Sequence, residues 1–297
     1  MIISVSRRTD IPRYYADWFF NRIKAGFVYT RNPMNFRQVS RIALTPEAVS
    51  GLVFWSKNPA PMAERLHELN EYRYYFQCTL TPYGTDIEPH VPQKSTEVIA
   101  TFKKMAAIVG ADNIIWRYDP ILLNPRYTIE YHLHAFEKIA AALQGYTRRV
   151  VISFLDTSYK ETKRNQQKLN LLPMPFDVQQ SLAAALAAIA HRYHFTIAAC
   201  AETMDWSALG ITRARCIDGR MFGLDAPKDK NQRAQCGCAA SVDIGLYNTC
   251  LHGCLYCYAN YNAVAVARHF AAHDPASPLL FGEITPDDKI TERKIKK

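Results

Sequence analysis

The residues best equipped for chemistry are Cys250, Cys254 and Cys257, spaced Cys-x3-Cys-x2-Cys with Tyr256 immediately before the last. Several thiolates converging on one point suit a soft metal centre, and a short loop brings them together at small entropic cost. Their number is informative. A closed structural zinc site takes four protein ligands. Three thiolates on a 4Fe–4S cluster instead leave one iron without a protein ligand, open to a substrate or cofactor. The zinc alternative needs a fourth ligand, for which Cys238 and His252 are at hand; in the cluster reading His252 is a loop residue at the edge of the site.

The other five cysteines divide unevenly. Cys200, Cys216, Cys236 and Cys238 form a loose group that would close an auxiliary 4Fe–4S cluster or a zinc site, or would stay as unpaired buried thiols. Cys78, inside an apolar run, is most simply a small core residue. Eight cysteines behind an N-terminus with no basic head argue for metal or redox use in a reducing, cytoplasmic setting, and against disulfides. No apolar run approaches the roughly 18 residues of a membrane span, so no membrane partner is expected. The net charge of +9 favours an acidic partner, nucleic acid first, though an ordinary basic enzyme has the same balance. Part of the excess lies in the tail 292–297, which reads as a solvated end. The run Lys228–Arg233 reads as solvated charge, with an anion-steadying role as its rival.

Short apolar runs alternating with helical patterns predict βα units around a parallel sheet. The runs are 2–6, 52–55, 74–80, 114–120, 150–156 and 195–199. Helices are expected after the first run, with Tyr15, Trp18, Phe19 and Ile23 on one face and Gly26 beyond the end. Others are expected around Met62, Leu66 and Leu69, over 95–109, over 128–143, and from Asp177 to His194. Residues 27–44 read as an irregular hairpin-like excursion, Thr45-Pro46-Glu47 as a helix start, and 160–168 as a polar segment. Six such repeats fit a partial (β/α)6 barrel of residues 1–203, followed by a cysteine-rich segment, 204–297, held by metal more than by a core. Each strand ends in polar residues, where a parallel barrel carries its site: Arg8 and Asp10, Ser56 and Lys57, Arg117 and Asp119, and Glu202.

The spacing of the trio, its Asn-Thr-Cys lead-in and its Tyr-Cys-Tyr-Ala exit resemble the cluster loop of the radical S-adenosylmethionine (SAM) enzymes. With Arg7-Arg8-Thr9-Asp10, Lys57-Asn58-Pro59 and Tyr118-Asp119-Pro120-Ile121, and with the loop at the C-terminal end, the chain closely resembles the uncharacterised domain of unknown function 1848 family from Met1 to about Tyr261. The resemblance implies a TIM-like partial barrel of the radical SAM type, with 204–297 as an iron–sulfur cap. It implies a 4Fe–4S cluster on Cys250, Cys254 and Cys257 that cleaves SAM reductively, fed by a donor such as flavodoxin or ferredoxin. The same resemblance makes Lys57, Arg117, Asp119 and Glu202 the catalytic candidates, and Arg8, Asp10, Ser56 and Tyr256 the SAM-binding ones. Ser56-Lys57 and 117–120 are similar to counterparts in the spore photoproduct lyase branch, whereas the superfamily's Gly-Gly-Glu stretch is missing. The cluster loop normally follows the first strand. Here either the C-terminal segment folds back over the barrel mouth, or 242–246 is itself the strand leading into the loop and the barrel is permuted. Both routes require the trio, the second cysteine group and the polar strand ends to meet at one mouth. The rival function is a zinc-stabilised nucleic-acid-binding protein without catalysis.

Overall fold

The computed structural model describes residues 1–293. The first apolar run becomes β1 (Ile2–Val5), followed by α1 (Ile11–Tyr14), capped by the Asp10 side chain, and α2 (Ala16–Ala25). Gly26 ends α2 at φ 75°, the left-handed conformation that glycine adopts without a Cβ penalty, and its N–H returns to the Ile23 carbonyl. The excursion expected to be irregular is a regular antiparallel hairpin, β2 (Phe27–Asn32) with β3 (Asn35–Ala43), disturbed only between Arg31 and Asn32. The helix expected at Thr45-Pro46 is a single turn. Val49 N–H reaches Thr45 O, and Ser50 N–H is then drawn to Met1 O, committing the chain to the sheet.

β4 (Gly51–Ser56) leads into a 3-10 helix, Ala60–Leu69, which buries Met62, Leu66 and Leu69 as their spacing predicts. β5 (Tyr74–Thr79) follows, then a π-helical turn at Lys94–Val98 running into α3 (Ile99–Val109). Next come β6 (Ile114–Ile121), α4 (Ile129–Leu143) and β7 (Arg149–Phe154). The polar segment after β7 is itself helical, α5 (Lys160–Leu169), and precedes α6 (Phe176–Arg192) and β8 (Thr196–Ala199). Beyond these lie β9 (Thr212–Arg213), β10 (Val242–Asp243), α7 (Ala263–Ala271) and β11 (Lys289–Glu292).

The fold is α/β, built on an eight-stranded sheet of order β10-β1-β4-β5-β6-β7-β8-β9 in which every pairing is parallel. Six strands match the six expected runs. The two at the edges come from beyond residue 203, so the sheet spans both expected segments. No ladder joins β9 to β10 among the described residues, and the sheet is open.

A parallel sheet is covered on both faces, and alternate residues along each strand belong to different covers. Ile3, Phe54, Phe76, Trp116 and Ile152 point into the main core with the helices. Ile2, Val53, Tyr75, Ile115 and Val151 form a second cluster with Cys216, Ile217, Phe222, Cys236 and Cys238 from the irregular segment. Residues 204–293 are therefore not without a core of their own contacts: Trp206, Ile211, Ile244 and Leu280 join the main one.

The hairpin and β11 make a separate sheet of order β11-β3-β2. The chain reaching β11 straps α2, with Trp18 Nε1–H donating to Ser277 O at 3.0 Å and Leu279 O at 3.1 Å. Glu292, expected in a solvated tail, is in β11 and exposed; Lys294–Lys297 lie outside the described residues. Among the described residues no helix is long and apolar enough to cross a membrane.

Candidate functional site

A cavity of about 320 Å³ opens at the carboxyl ends of the strands. Its wall takes Arg8 and Asp10 from the exit of β1, Ser56 and Lys57 from β4, and Arg117 and Asp119 from β6. The same wall takes Cys250, Cys254, Tyr256 and Cys257 from one side, and Cys200, Cys216, Cys236 and Cys238 from the other. Groups some 240 residues apart in sequence thus meet at one mouth.

The meeting follows from β10. Val242 and Asp243 pair parallel with Ile3 and Ser4, so the chain leaving β10 emerges beside the exit of β1. Asp243 fixes that junction: it accepts from Ser4 Oγ at 2.9 Å, from Ser6 Oγ, from Arg7 N–H at 2.8 Å and from Gly245 N–H at 3.0 Å. The close approach explains Gly245, where a Cβ would stand 2.2 Å from Ser6 Oγ.

The cysteine loop is then tied down residue by residue. Asn260 Oδ1 accepts from Thr249 N–H and Cys250 N–H, both at 2.8 Å, while its Nδ2–H donates to Arg8 O at 2.8 Å. Tyr15 O–H donates to Thr249 O at 2.5 Å. His252 is buried between Asp10 Oδ2, 2.7 Å from Nε2, and Tyr14 O–H, 3.0 Å from Nδ1. Both ring nitrogens are engaged, which removes His252 as a fourth metal ligand. Cys238, the other fourth-ligand candidate, is a free thiol hydrogen-bonded within the second cysteine group, to Cys216 and Cys236.

Tyr256 leads to a group that sequence reasoning missed. Its hydroxyl donates to Glu88, whose side chain is fully buried and also takes Thr81 O–H at 2.8 Å, Lys57 Nζ at 2.7 Å and Lys94 Nζ. Burial alone would push the Glu88 carboxyl up, but the two ammonium groups outweigh it and hold it down at about 2. One carboxylate against two lysines leaves a net positive charge behind the loop. Burial pushes the Cys254 thiol up to about 12, with Lys57 pulling the other way.

On the opposite wall, Arg117 is buried with its guanidinium on Cys216 Sγ at 2.8 Å, on Gln77 Oε1 at 3.3 Å and on Asp119. Burial works against its charge, while Cys216 and Asp119 sustain it. Cys200 Sγ and Cys216 Sγ lie 3.1 Å apart. All eight cysteines are free, and Cys78 is core as expected. Among the described residues no three His, Cys, Asp or Glu side chains are grouped to hold one metal ion.

Three candidates have side chains held by neighbouring groups, Asp10 and Ser56 on the cavity wall and Glu202 off it. Glu202 lies behind the wall, accepting from Ser153 Oγ–H and Phe154 N–H. Asp10 has both oxygens in use, by Arg13 N–H, Lys57 N–H and His252, so it builds the loop–helix junction. Ser56 Oγ accepts from Asn58 N–H and shapes the turn after β4. Arg8 remains open: it donates to Gly245 O at 3.3 Å and lies over the Tyr247 ring at 5.0 Å, with no acidic partner among the described residues. In the charge run, Asp229 is buried and caps its own turn toward Asn231 and Gln232, while Arg233 reaches the cavity wall and pairs with Asp156 at 2.8 Å. Of the missed residues, Asn260 alone had a signal, an asparagine directly after the loop where it can bond backbone. Glu88 sits in irregular chain and Lys94 at the start of the π-helical turn, with no sequence pattern to mark either.

The family model described as "Domain of unknown function (DUF1848)" matches residues 2–259. No curated protein and no solved structure matches.

Proposed function

The chain belongs to the DUF1848 family, and we propose that it is a radical SAM-type iron–sulfur enzyme, with Cys250, Cys254 and Cys257 as ligands of a 4Fe–4S cluster. When bound, that cluster would supply one electron, taken from a flavodoxin- or ferredoxin-like donor, to split SAM into methionine and a 5′-deoxyadenosyl radical. The observation that carries the reading is the meeting of a three-thiol loop with the polar strand ends in one cavity. The chemistry of the donor set suits a cluster, three soft thiols with His252 and Cys238 both engaged elsewhere, although the three sulfurs are not gathered round one point and would have to close on it. In the same reading the open sheet is a permuted partial barrel, because β10, the strand before the loop, stands next to β1.

The protein's own residues would bind, orient and keep water out. Arg8, with its fork open, would grip the SAM carboxylate. Tyr256 holds the loop against Glu88, and the Lys57–Glu88–Lys94 group sets positive charge against the thiolates. Asp119, held by Arg117, would accept a hydrogen bond from an ammonium or hydroxyl of the ligand. The positive balance of the chain favours an anionic substrate, with nucleic acid the first to try.

Purified without oxygen, the protein should be brown and should release 5′-deoxyadenosine from SAM under reduction. Cys254→Ala should abolish the release; undiminished turnover in that variant, or zinc in place of iron and sulfide in the wild type, would sink the reading. A nucleic-acid substrate predicts affinity that falls steeply with salt as counterions are released. A flat salt response would point to a small metabolite or peptide instead.

A further inference from the structure

We infer that Cys200, Cys216, Cys236 and Cys238 form a second, soft-metal centre on the wall of the same cavity, with Arg117 as its buried charge partner. The four sulfurs come from three places in the chain: the exit of β8, the segment after β9, and the turn Cys236-Gly237-Cys238. They gather under apolar strand residues, Ile2, Val53, Ile115 and Val151 among them. A buried cation also reaches the group, although it is paired with Asp119 as well. Arg117 is buried beneath them and directs one N–H to Cys216 Sγ at 2.8 Å. A neutral thiol is a weak acceptor, whereas a thiolate, free or metal-bound, answers a guanidinium.

Neighbouring donors hold the segment that carries these sulfurs. Ile217 N–H points at Cys238 Sγ, 3.4 Å away, and Tyr75 O–H and Gln77 Nε2–H both fix the Cys216 carbonyl, at 2.8 and 2.9 Å. The geometry also shows what filling requires. The sulfurs touch one another, as Cys200 and Cys216 do at 3.1 Å, and do not surround a common point. A metal would have to part them. Between Leu224 and Ser241 the chain has no helix or strand to resist, only the bridge of Lys228 with Ala239. Metal binding of this kind closes a loose segment as it loads. Thiolates at this position serve an iron–sulfur cluster or a zinc ion equally, and the shared chemistry is what the site specifies.

The inference is independent of what the C-terminal loop holds, and its test removes that loop's ligands. The variant Cys250→Ala, Cys254→Ala, Cys257→Ala, purified without oxygen, should retain either about four iron and four sulfide or about one zinc per chain. Either retained metal supports the second centre and names its kind; neither one overturns it. Cys216→Ser added to that variant should lose whatever was retained, and persistence of the metal would also overturn the assignment. Should the triple variant not fold, the wild-type chain answers. Metal loading should slow alkylation of Cys200, Cys216, Cys236 and Cys238 at least tenfold, mapped cysteine by cysteine. Protection confined to Cys250, Cys254 and Cys257 would leave the first site standing and refute the second. Arg117→Met should weaken retention at the second group while leaving the C-terminal loop loaded.

Discussion

The two faces of the parallel sheet are covered by different kinds of chain. Helices cover one: Trp116, for instance, is buried against Phe136 with ring centroids 4.6 Å apart, and its indole N–H reaches Leu80 O at 2.9 Å. The irregular, cysteine-bearing segment covers the other, where Val53, Tyr75, Ile115 and Val151 meet Cys216, Cys236 and Cys238. Along that second face the strands change character toward their carboxyl ends. Ile115 is followed two residues on by Arg117, and Val151 by Ser153. On these two strands apolar packing residues lie at the base of the face and polar residues at its rim, where the proposed chemistry would take place.

The separation can be broken first at Trp116. Replacement by alanine should cost about 3–5 kcal/mol, because a large cavity opens among helices that cannot collapse. Denaturant unfolding should show that loss whether or not the cysteines are loaded. Cys216→Ala on the other face should cost only about 1 kcal/mol without metal. Equal losses for the two, or a Trp116 effect that depends on metal, would erase the distinction between the faces.

The next test is Glu88, the one carboxylate between Lys57 and Lys94. Glu88→Gln leaves two buried ammonium groups without their counter-charge and should cost about 3 kcal/mol. Lys94→Met should cost less, since Lys57 keeps its partner. A smaller effect for Glu88 than for Lys94 would contradict the geometry.

These residues also show where the sequence could be read and where it could not. The strands of the helix-covered face announce themselves as apolar runs, and the α4 and α6 periodicities place their helices within a residue or two. That the cysteine trio and the polar strand ends would line one cavity was legible from residue type and from their places at the strand exits. Glu88 was not. Its role depends on Lys57, 31 residues away, and on Tyr256, 168 residues away, and no local pattern encodes such a pairing. The two-residue strand β9 was not expected, and β10 was expected only as one of two routes, over 242–246, for a related reason. A strand that short has no period, and only its neighbours β8 and β1 define it. Glu202 shows that a polar residue at a strand end can turn back onto the neighbouring backbone as readily as into the cavity.

On the helix-covered side, His132 supplies a pH test. Its Nε2 lies 2.9 Å from Leu122 O and its Nδ1 2.8 Å from Tyr118 O–H, an arrangement that satisfies the neutral ring. Burial pushes the imidazole down to about 4, the Leu122 carbonyl pulling weakly the other way. The unfolded chain takes up that proton near pH 6.5, so the unfolded state binds more protons between about 6.5 and 4, and stability falls as pH is lowered through that window. The full loss from this group approaches about 3 kcal/mol and stops below pH 4. Melting curves between pH 7 and 5 should show the slope in the wild type and a flatter one in His132→Gln; parallel slopes would mean that His132 is not the group responsible.

The most local effect belongs to Asn260, which sharpens the contrast between a loop at the rim and a global core. Its side chain satisfies two backbone N–H groups at the start of the cysteine loop and one carbonyl at the exit of β1. Asn260→Ala leaves those groups to find water, a cost of about 1–2 kcal/mol in loop order. Because the loop lies at the rim and not in the core, that cost should be felt locally. Alkylation of Cys250 in the metal-free protein should speed up several-fold while the denaturant midpoint hardly moves. Asn260→Asp separates the two halves of the contact, since a carboxylate can still accept from Thr249 and Cys250 but cannot donate to Arg8 O. If acceptance is what orders the loop, Asn260→Asp keeps Cys250 slow to react. If the tie to β1 matters more, it reacts as fast as the alanine variant, and the anchor of the loop is then the strand exit and not the loop's own turn.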